Sequence, residues 1–432
     1  MSHLTISPAN TPLQGTVIIP GDKSITHRGL ILGALAEGET SITGYSHGED
    51  CLNTLKVIRQ LGVEVDGDAQ SLLVKGKGLR GLSEPQSILD CGNSGTGMRL
   101  LAGVLAGQSF FSVLTGDSSL RGRPMRRVVT PLREMGAEIS GRQGGELAPL
   151  AINGRELQGI HYRSPVASAQ IKSCVLLAGL SAEGVTVVEE PSRSRDHTER
   201  LFAYLGLPIT VSDRTVSIEG KHGIEGKPIT VPGDISAAAF FMVAASLVPG
   251  SEVFIPNVGL NPERTGILEI LLKMGADITV SDLREVSGEP VGDMCIRSAR
   301  LKGLTIGADM VPKTIDEFPI LCVAAAFADG QTRITDAQEL RVKETDRIHA
   351  MATQLKKLNV AIEEQPDGLL IDGNAQLTGG VCESFGDHRV VMSLAVAGLL
   401  GKTSTTIEDV ECVETSFPGF HGKLLDLLTK SE

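Results

Sequence analysis

The chain has 432 residues, too many for one ordinary hydrophobic core, which points to two or three domains. Forty Lys and Arg against 52 Asp and Glu leave a formal charge of −12, which excludes nucleic-acid or anionic-membrane binding as a property of the whole surface. Any anion site must then be a local cluster of cations. Only 3% of residues are aromatic and Trp is absent, so the cores are aliphatic. Seven cysteines are scattered and never form a C-x-x-C pair, so neither a disulfide framework nor a thiolate metal site is implied. The start of the chain lacks a signal-peptide pattern, and the longest apolar run, near Ile235 to Val248, is too short to span a bilayer. A cytoplasmic protein is expected.

In chain order, the first informative stretch is Pro20-Gly21-Asp22-Lys23-Ser24-Ile25-Thr26-His27-Arg28. It lies between an alternating run (Gly15 to Ile19) and an apolar run (Gly29 to Ala36), which predicts a strand-to-helix turn. The first N–H groups of a helix lack intrahelical partners and its dipole is positive there, so such a turn suits an anion. Lys23 and Arg28 oppose that dipole by about 0.3–1 kcal/mol each, which a bound phosphate or carboxylate would offset. A turn with solvated charges is the plain alternative.

An amphipathic segment follows, Glu49 to Leu61, then Gly62-Val63-Glu64-Val65 as a strand, and the same pattern returns five more times. The later openings are Asn93 to Arg99, Ser168 to Lys172, Pro232 to Ser236, Thr314 to Pro319 and Ser384 to Arg389. The sixth unit runs out in the tail. Six units make two sets of three. The first helix of each is apolar nearly all round, as in Phe240 to Ala245 or Ile320 to Ala326, and the second is amphipathic. The predicted fold class is α/β, an inside-out barrel in two domains with helices buried and sheets outside. The fourth opening echoes the first in Pro-Gly-Asp, which places the domains at 21–233 and at 1–20 plus 234–432. Helix starts from both sets are expected to converge on an interdomain cleft.

Basic residues gather at the openings of an acidic chain: Lys23, Arg28, Arg99, Arg121, Arg123, Lys172, Arg195, Lys343, Arg347 and Arg389. A ligand with two or three anionic groups accounts for them, since the planar guanidinium grips phosphate or carboxylate through two parallel bonds. Two carboxylates stand among them. Asp316 reads either as a helix cap or as a proton acceptor; Glu344, beside Lys343, reads either as a surface ion pair with Arg347 or as a proton-transfer group. His27, His197 and His388 read as structural hydrogen-bonders. Gly76 to Gly81 matches G-x-G-x-x-G without a following helix, and Gly401-Lys402-Thr403 lacks the first glycine of a P-loop, so neither is a nucleotide motif.

Four ordered motifs carry a family resemblance: Gly21 to Arg28, Gly92 to Arg99, Arg341 to Arg347, and Asp387-His388-Arg389. With them the chain resembles the 5-enolpyruvylshikimate-3-phosphate synthases over nearly its whole length. That resemblance implies two domains of three βαβαββ units each, and transfer of the enolpyruvyl group of phosphoenolpyruvate to the 5-hydroxyl of shikimate 3-phosphate by addition and elimination. It implies no organic cofactor or metal, no nucleic-acid or membrane partner, and a monomer. It assigns Lys23, Ser24, Arg28, Ser168, Gln170, Asp316 and Lys343 to shikimate 3-phosphate. Phosphoenolpyruvate goes to Arg123, Arg347 and Arg389, shared with Lys23 and Gln170 and approached by the Gly95 backbone. Asp316 takes the hydroxyl proton and Glu344 exchanges protons with the methylene carbon, beside Lys23.

This chain departs from the pattern at three places. Ala169 replaces a serine hydroxyl in the shikimate-phosphate site, Arg195 stands in a Ser-Arg-Asp-His-Thr form where many members have a tyrosine and is expected to contact the phosphate of shikimate 3-phosphate instead, and Thr415 replaces a late lysine. These choices resemble a subgroup known for herbicide tolerance, but Gly95 leaves room for glyphosate where tolerant members carry alanine. The nearest alternative is the sister transferase acting on UDP-N-acetylglucosamine, against which Lys23-Ser24 and Arg28 favour the smaller phosphate. An RNA-binding repeat protein is a rival class that the acidic charge and three Tyr disfavour.

Overall fold

The computed structural model of the chain describes residues 2–429. The six apolar openings are helices: Lys23–Leu35, Gly95–Ala106, Ala169–Gly179, Ile235–Leu247, Phe318–Phe327 and His388–Leu399. In Gly95–Ala106 only Thr96 is not buried, and in His388–Leu399 every residue is. A helix with no polar face can be stable only when protein surrounds it, each buried Leu or Ile contributing about 1.5–3 kcal/mol relative to exposure. The helices between them are amphipathic: Glu49–Gln60, Arg126–Glu134, His197–Tyr204, Gly266–Lys273 and Arg347–Lys357. No helix among the described residues is long and apolar enough to cross a membrane.

The sixth unit does not run out. A 3₁₀ segment, Val410–Thr415, leads to a further helix, Phe420–Thr429. Phe417 and Phe420 pack edge-on against Phe240 and Phe241, with ring centroids 5.5–5.9 Å apart where they meet across the core. Leu424 and Leu427 share the buried face of this helix with Phe420, so the segment is an amphipathic helix held to the core by tertiary contact.

Among the described residues the strands form six separate open sheets. In the first, Glu39–Thr43 pairs parallel with Ile229–Thr230 and antiparallel with Ser71–Lys75, which pairs antiparallel with Glu64–Gly67. Four more sheets repeat that order, parallel strand first and hairpin last. Alternate residues such as Leu72 and Val74 point inward, so each sheet covers the helices with one face and meets water with the other. Among the described residues no sheet closes on itself, and the α/β fold class of the sequence reading, with helices buried and sheets outside, is the one observed.

The chain divides into two compact units. The first is Gly21–Pro232 together with Glu285–Glu289; the second is the chain up to Pro20, Gly233–Arg284 and the chain from Pro290 on. The start of the chain completes two sheets of the second unit. Gln14–Thr16 lies parallel to the strand beginning at Glu252, and His3–Ile6 runs antiparallel to Thr405–Glu408, with His3 opposite Glu408.

Helix contact in the first unit depends on Gly103. A Cβ placed there would lie 2.2 Å from the Cys174 carbonyl oxygen of the Ala169–Gly179 helix, which is backbone and cannot swing aside. Gly103→Val should therefore lose about 1–3 kcal/mol, a fall of roughly 2–4 °C per kcal/mol in the melting temperature of a unit this size. Gly422→Ala, in an exposed stretch of helix with nothing within 4 Å, should be neutral or slightly stabilising in the same calorimetric scan.

Candidate active site

In the first unit the three buried helices are laced together at their starts. Asp22 caps Lys23–Leu35, its carboxylate accepting the Ile25 N–H at 2.9 Å, and Lys23 pairs with Asp50 at 2.9 Å. Those two carboxylates offset the lysine's opposition to the dipole. Arg28, buried, donates from Nε to Thr198 at 2.7 Å, from Nη2 to Ser173 at 2.6 Å and from Nη1 to the Ser24 carbonyl at 2.8 Å. Burial pushes its pKa down to about 10, with Arg195 adding repulsion against the pull of Glu199, Asp22 and Glu289.

The second and third openings meet through Gln170, which accepts from Arg99 Nη1 at 2.6 Å and donates to Thr96 at 3.0 Å. Arg123, also buried, is oriented by Asn93 at 2.7 Å and Ser119 at 3.2 Å. Gly95 opens its helix behind the Ser94 cap. A Cβ there would lie 2.9 Å from Arg99 Nη1 and 3.3 Å from Arg123 Nη1, so glycine lets both guanidinium groups approach the helix start. Ser168, Ala169 and Gln170 are half-buried around the start of the third helix, and Arg195 is half-buried just before His197–Tyr204.

Lys172 is different. Counted from sequence among the opening cations, it is 2% exposed and sits between Glu190 at 2.8 Å and Glu199 at 2.7 Å. Burial disfavours its charge, but the two carboxylates outweigh that and raise its pKa. It is a structural cation beneath the segment that ends in Ser194-Arg195, whose Ser194 carbonyl it also reaches at 3.2 Å. Arg121 is exposed.

The second unit gathers Asp316, Lys343, Glu344, Arg347 and Arg389. Arg347 is almost fully buried and faces three carboxylates: Asp387 at 2.8 Å from Nε, Glu344 at 2.7 Å from Nη2 and Asp316 at 3.4 Å from Nη1. Burial works against its charge, but Asp387, Glu344 and Asp316 outweigh it and raise its pKa. Asp387 caps His388–Leu399 through the Arg389 N–H at 2.8 Å; burial resists its ionisation, while Arg347 and His388 hold its carboxyl below the usual range. Burial, aided by Arg347, lowers the Lys343 pKa despite Asp316 and Glu344. Asp316 does not cap a helix: it lies in the turn between Val311–Thr314 and Phe318–Phe327, and Glu317 holds the cap position. Glu344 does pair with Arg347, but with a guanidinium whose side chain is 1% exposed rather than on a solvated surface.

Sequence reasoning passed over Thr96, Asn93 and Ser119 in the first unit and Ser236 and Glu317 in the second. Ser236 was within reach, because Pro232-Gly233-Asp234-Ile235-Ser236 repeats the register of Pro20-Gly21-Asp22-Lys23-Ser24. At the replaced lysine, Thr415 donates to the Cys412 carbonyl at 2.7 Å and lies 3.4 Å from His388 Nδ1, so no cation stands there.

These features define an α/β protein that gathers buried cations and carboxylates at and beside the starts of its helices. The family model for EPSP synthase (3-phosphoshikimate 1-carboxyvinyltransferase) matches residues 8–424. Proteins named 3-phosphoshikimate 1-carboxyvinyltransferase from Geobacter metallireducens and Geobacter sulfurreducens are 56% and 55% identical to this chain, each over 97% of it and 98% of the relative. The solved structure of EPSP synthase from Acinetobacter baumannii superposes with a TM-score of 0.89 at 46% identity, covering 98% of both chains. The chain belongs to the EPSP synthase family.

His27 supplies a pH test of the first opening. Burial, then Lys23 and Arg28, push its pKa down to about 3, and its ring bonds Thr54 at 2.8 Å and Ser94 at 3.3 Å. A folded pKa below the unfolded 6.5 gives stability that is fully present above 6.5 and lost as pH falls toward 3. Between pH 6.5 and 5 that loss is about 2 kcal/mol, and urea titrations of His27→Gln should show a correspondingly flatter dependence over this window.

Proposed function

We propose that this chain transfers the enolpyruvyl group of phosphoenolpyruvate to the 5-hydroxyl of shikimate 3-phosphate, releasing phosphate, in the shikimate route to chorismate and the aromatic amino acids. The relatives' names favour this acceptor over UDP-N-acetylglucosamine. The observation that carries the reading is the buried Arg347 with Asp316 on one nitrogen and Glu344 on another, beside Arg389. One cation fixes two carboxylates that must act at two atoms of one reaction.

The shikimate 5-oxygen forms a bond to C2 of phosphoenolpyruvate while Asp316 takes the hydroxyl proton and Glu344 gives one to the methylene carbon. The tetrahedral adduct then loses phosphate, and Glu344 removes a proton from the new methyl group. Lys23, Ser24, Arg28, Ser168, Ala169, Gln170, Arg195, Asp316 and Lys343 serve shikimate 3-phosphate. Lys23, Gly95, Arg123, Gln170, Arg347 and Arg389 serve phosphoenolpyruvate. Arg195, half-buried just before His197–Tyr204, would supply a phosphate contact that compensates for the hydroxyl missing at Ala169. We further place the enzyme in the cytoplasm as a monomer; the free state of all seven cysteines fits a reducing compartment.

Phosphate release should require phosphoenolpyruvate and shikimate 3-phosphate together, and UDP-N-acetylglucosamine should not replace the latter; turnover with the sugar nucleotide would reverse the assignment. Asp316→Asn and Glu344→Gln should each lower kcat by about 10²–10⁴. Arg389→Ala should raise KM for phosphoenolpyruvate about 10–100-fold, as expected for a charged hydrogen bond. Glyphosate should inhibit the wild-type chain. Gly95→Ala, by placing a methyl against Arg99 and Arg123, should raise its inhibition constant at least about tenfold, or 1.4 kcal/mol; equal constants for the two proteins would contradict this.

A further inference from the structure

Glu317 has no part in the transferase reading, yet it is fully buried beside the residues that do. It holds the cap position of Phe318–Phe327 but caps nothing with its side chain. A carboxylate there ordinarily accepts an N–H from the first helical turn. Here Oε1 accepts the hydroxyl hydrogen of Ser236, from the first turn of Ile235–Leu247. Ser236 Oγ in turn accepts from Arg389 Nη1 at 2.5 Å, in the first turn of His388–Leu399. Glu317 Oε1 also lies 3.8 Å from Arg389 Nη1. One carboxylate therefore joins the starts of all three buried helices of the second unit.

The link has a direction. Arg389 Nη1 is held twice, by Ser236 and by the Asp316 carbonyl at 3.0 Å, whereas Nε and Nη2 make no hydrogen bond among the described residues. Fixing one nitrogen leaves the Nε–Nη2 edge presented as a two-donor fork, the geometry that grips a carboxylate or phosphate. The other Glu317 oxygen, Oε2, is buried without a hydrogen-bond partner among the described residues. Such an atom destabilises a fold, so packing alone does not account for a glutamate at this position.

We propose that Glu317 is a positioning residue, which acts through Ser236 to orient Arg389 toward phosphoenolpyruvate. It sets the affinity for that substrate and leaves shikimate 3-phosphate untouched. This rests on the transferase reading above.

The test is steady-state kinetics on Glu317→Gln in the full-length chain, varying each substrate in turn. KM for phosphoenolpyruvate should rise about tenfold, while KM for shikimate 3-phosphate stays within about twofold and the melting temperature shows a folded protein. Ser236→Ala should reproduce the same one-sided change, and Glu317→Asp should restore part of it. If Glu317→Gln does not fold, Ser236→Ala alone decides. An unchanged KM for phosphoenolpyruvate in a folded variant, or an equal rise for both substrates, would overturn the proposal while an active wild type keeps the transferase reading intact. A wild type inactive on the two substrates would remove both.

Discussion

The second unit depends on a single buried cation. Arg347 cannot lose its proton and is closed off from water, so the protein must supply its counter-charges. It supplies three: Asp387, which also caps the last buried helix, and Asp316 and Glu344, which come from separate loops. Removing the guanidinium would leave those carboxylates crowded without a partner, at a cost of about 3–5 kcal/mol. The stability of the unit and the placement of Asp316 and Glu344 are therefore one problem with one solution.

The first unit solves a related problem with hydroxyls and an amide instead of carboxylates. Arg28 is held by Thr198 and Ser173, and Arg99 by Gln170. Neutral partners orient a guanidinium without cancelling its charge. Lys172, by contrast, sits between Glu190 and Glu199 and is withdrawn from the surface.

Much of this was legible in the sequence because it is local. An aspartate or serine before an apolar run marks a helix start, as at Asp22, Ser94 and Asp387, and the recurrence of that mark revealed six units. The residues that were misread or missed have partners far away in the chain. Ser173 lies 145 residues from Arg28, and Ser236 lies 153 from Arg389. Lys172 has the same local setting as a ligand-binding lysine, and only the fold brings Glu190 and Glu199 to it. The cap alternative for Asp316 arose because one position separates it from Glu317, and its turn is contacted by Arg347 and Arg389. Strand pairing was likewise beyond the periodicity, which fixes which face of a strand is buried but not which edges pair.

The most direct test of the account is proton exchange at carbon. In deuterium oxide, with phosphoenolpyruvate and shikimate 3-phosphate, the wild-type chain should place deuterium in the vinyl methylene of the product, followed by proton and deuterium NMR. Glu344→Gln should still bind both substrates while losing that exchange by at least about a hundredfold. Label entering the methylene as fast in Glu344→Gln as in the wild type would contradict the assignment of Glu344 on Arg347 as the group that moves the proton.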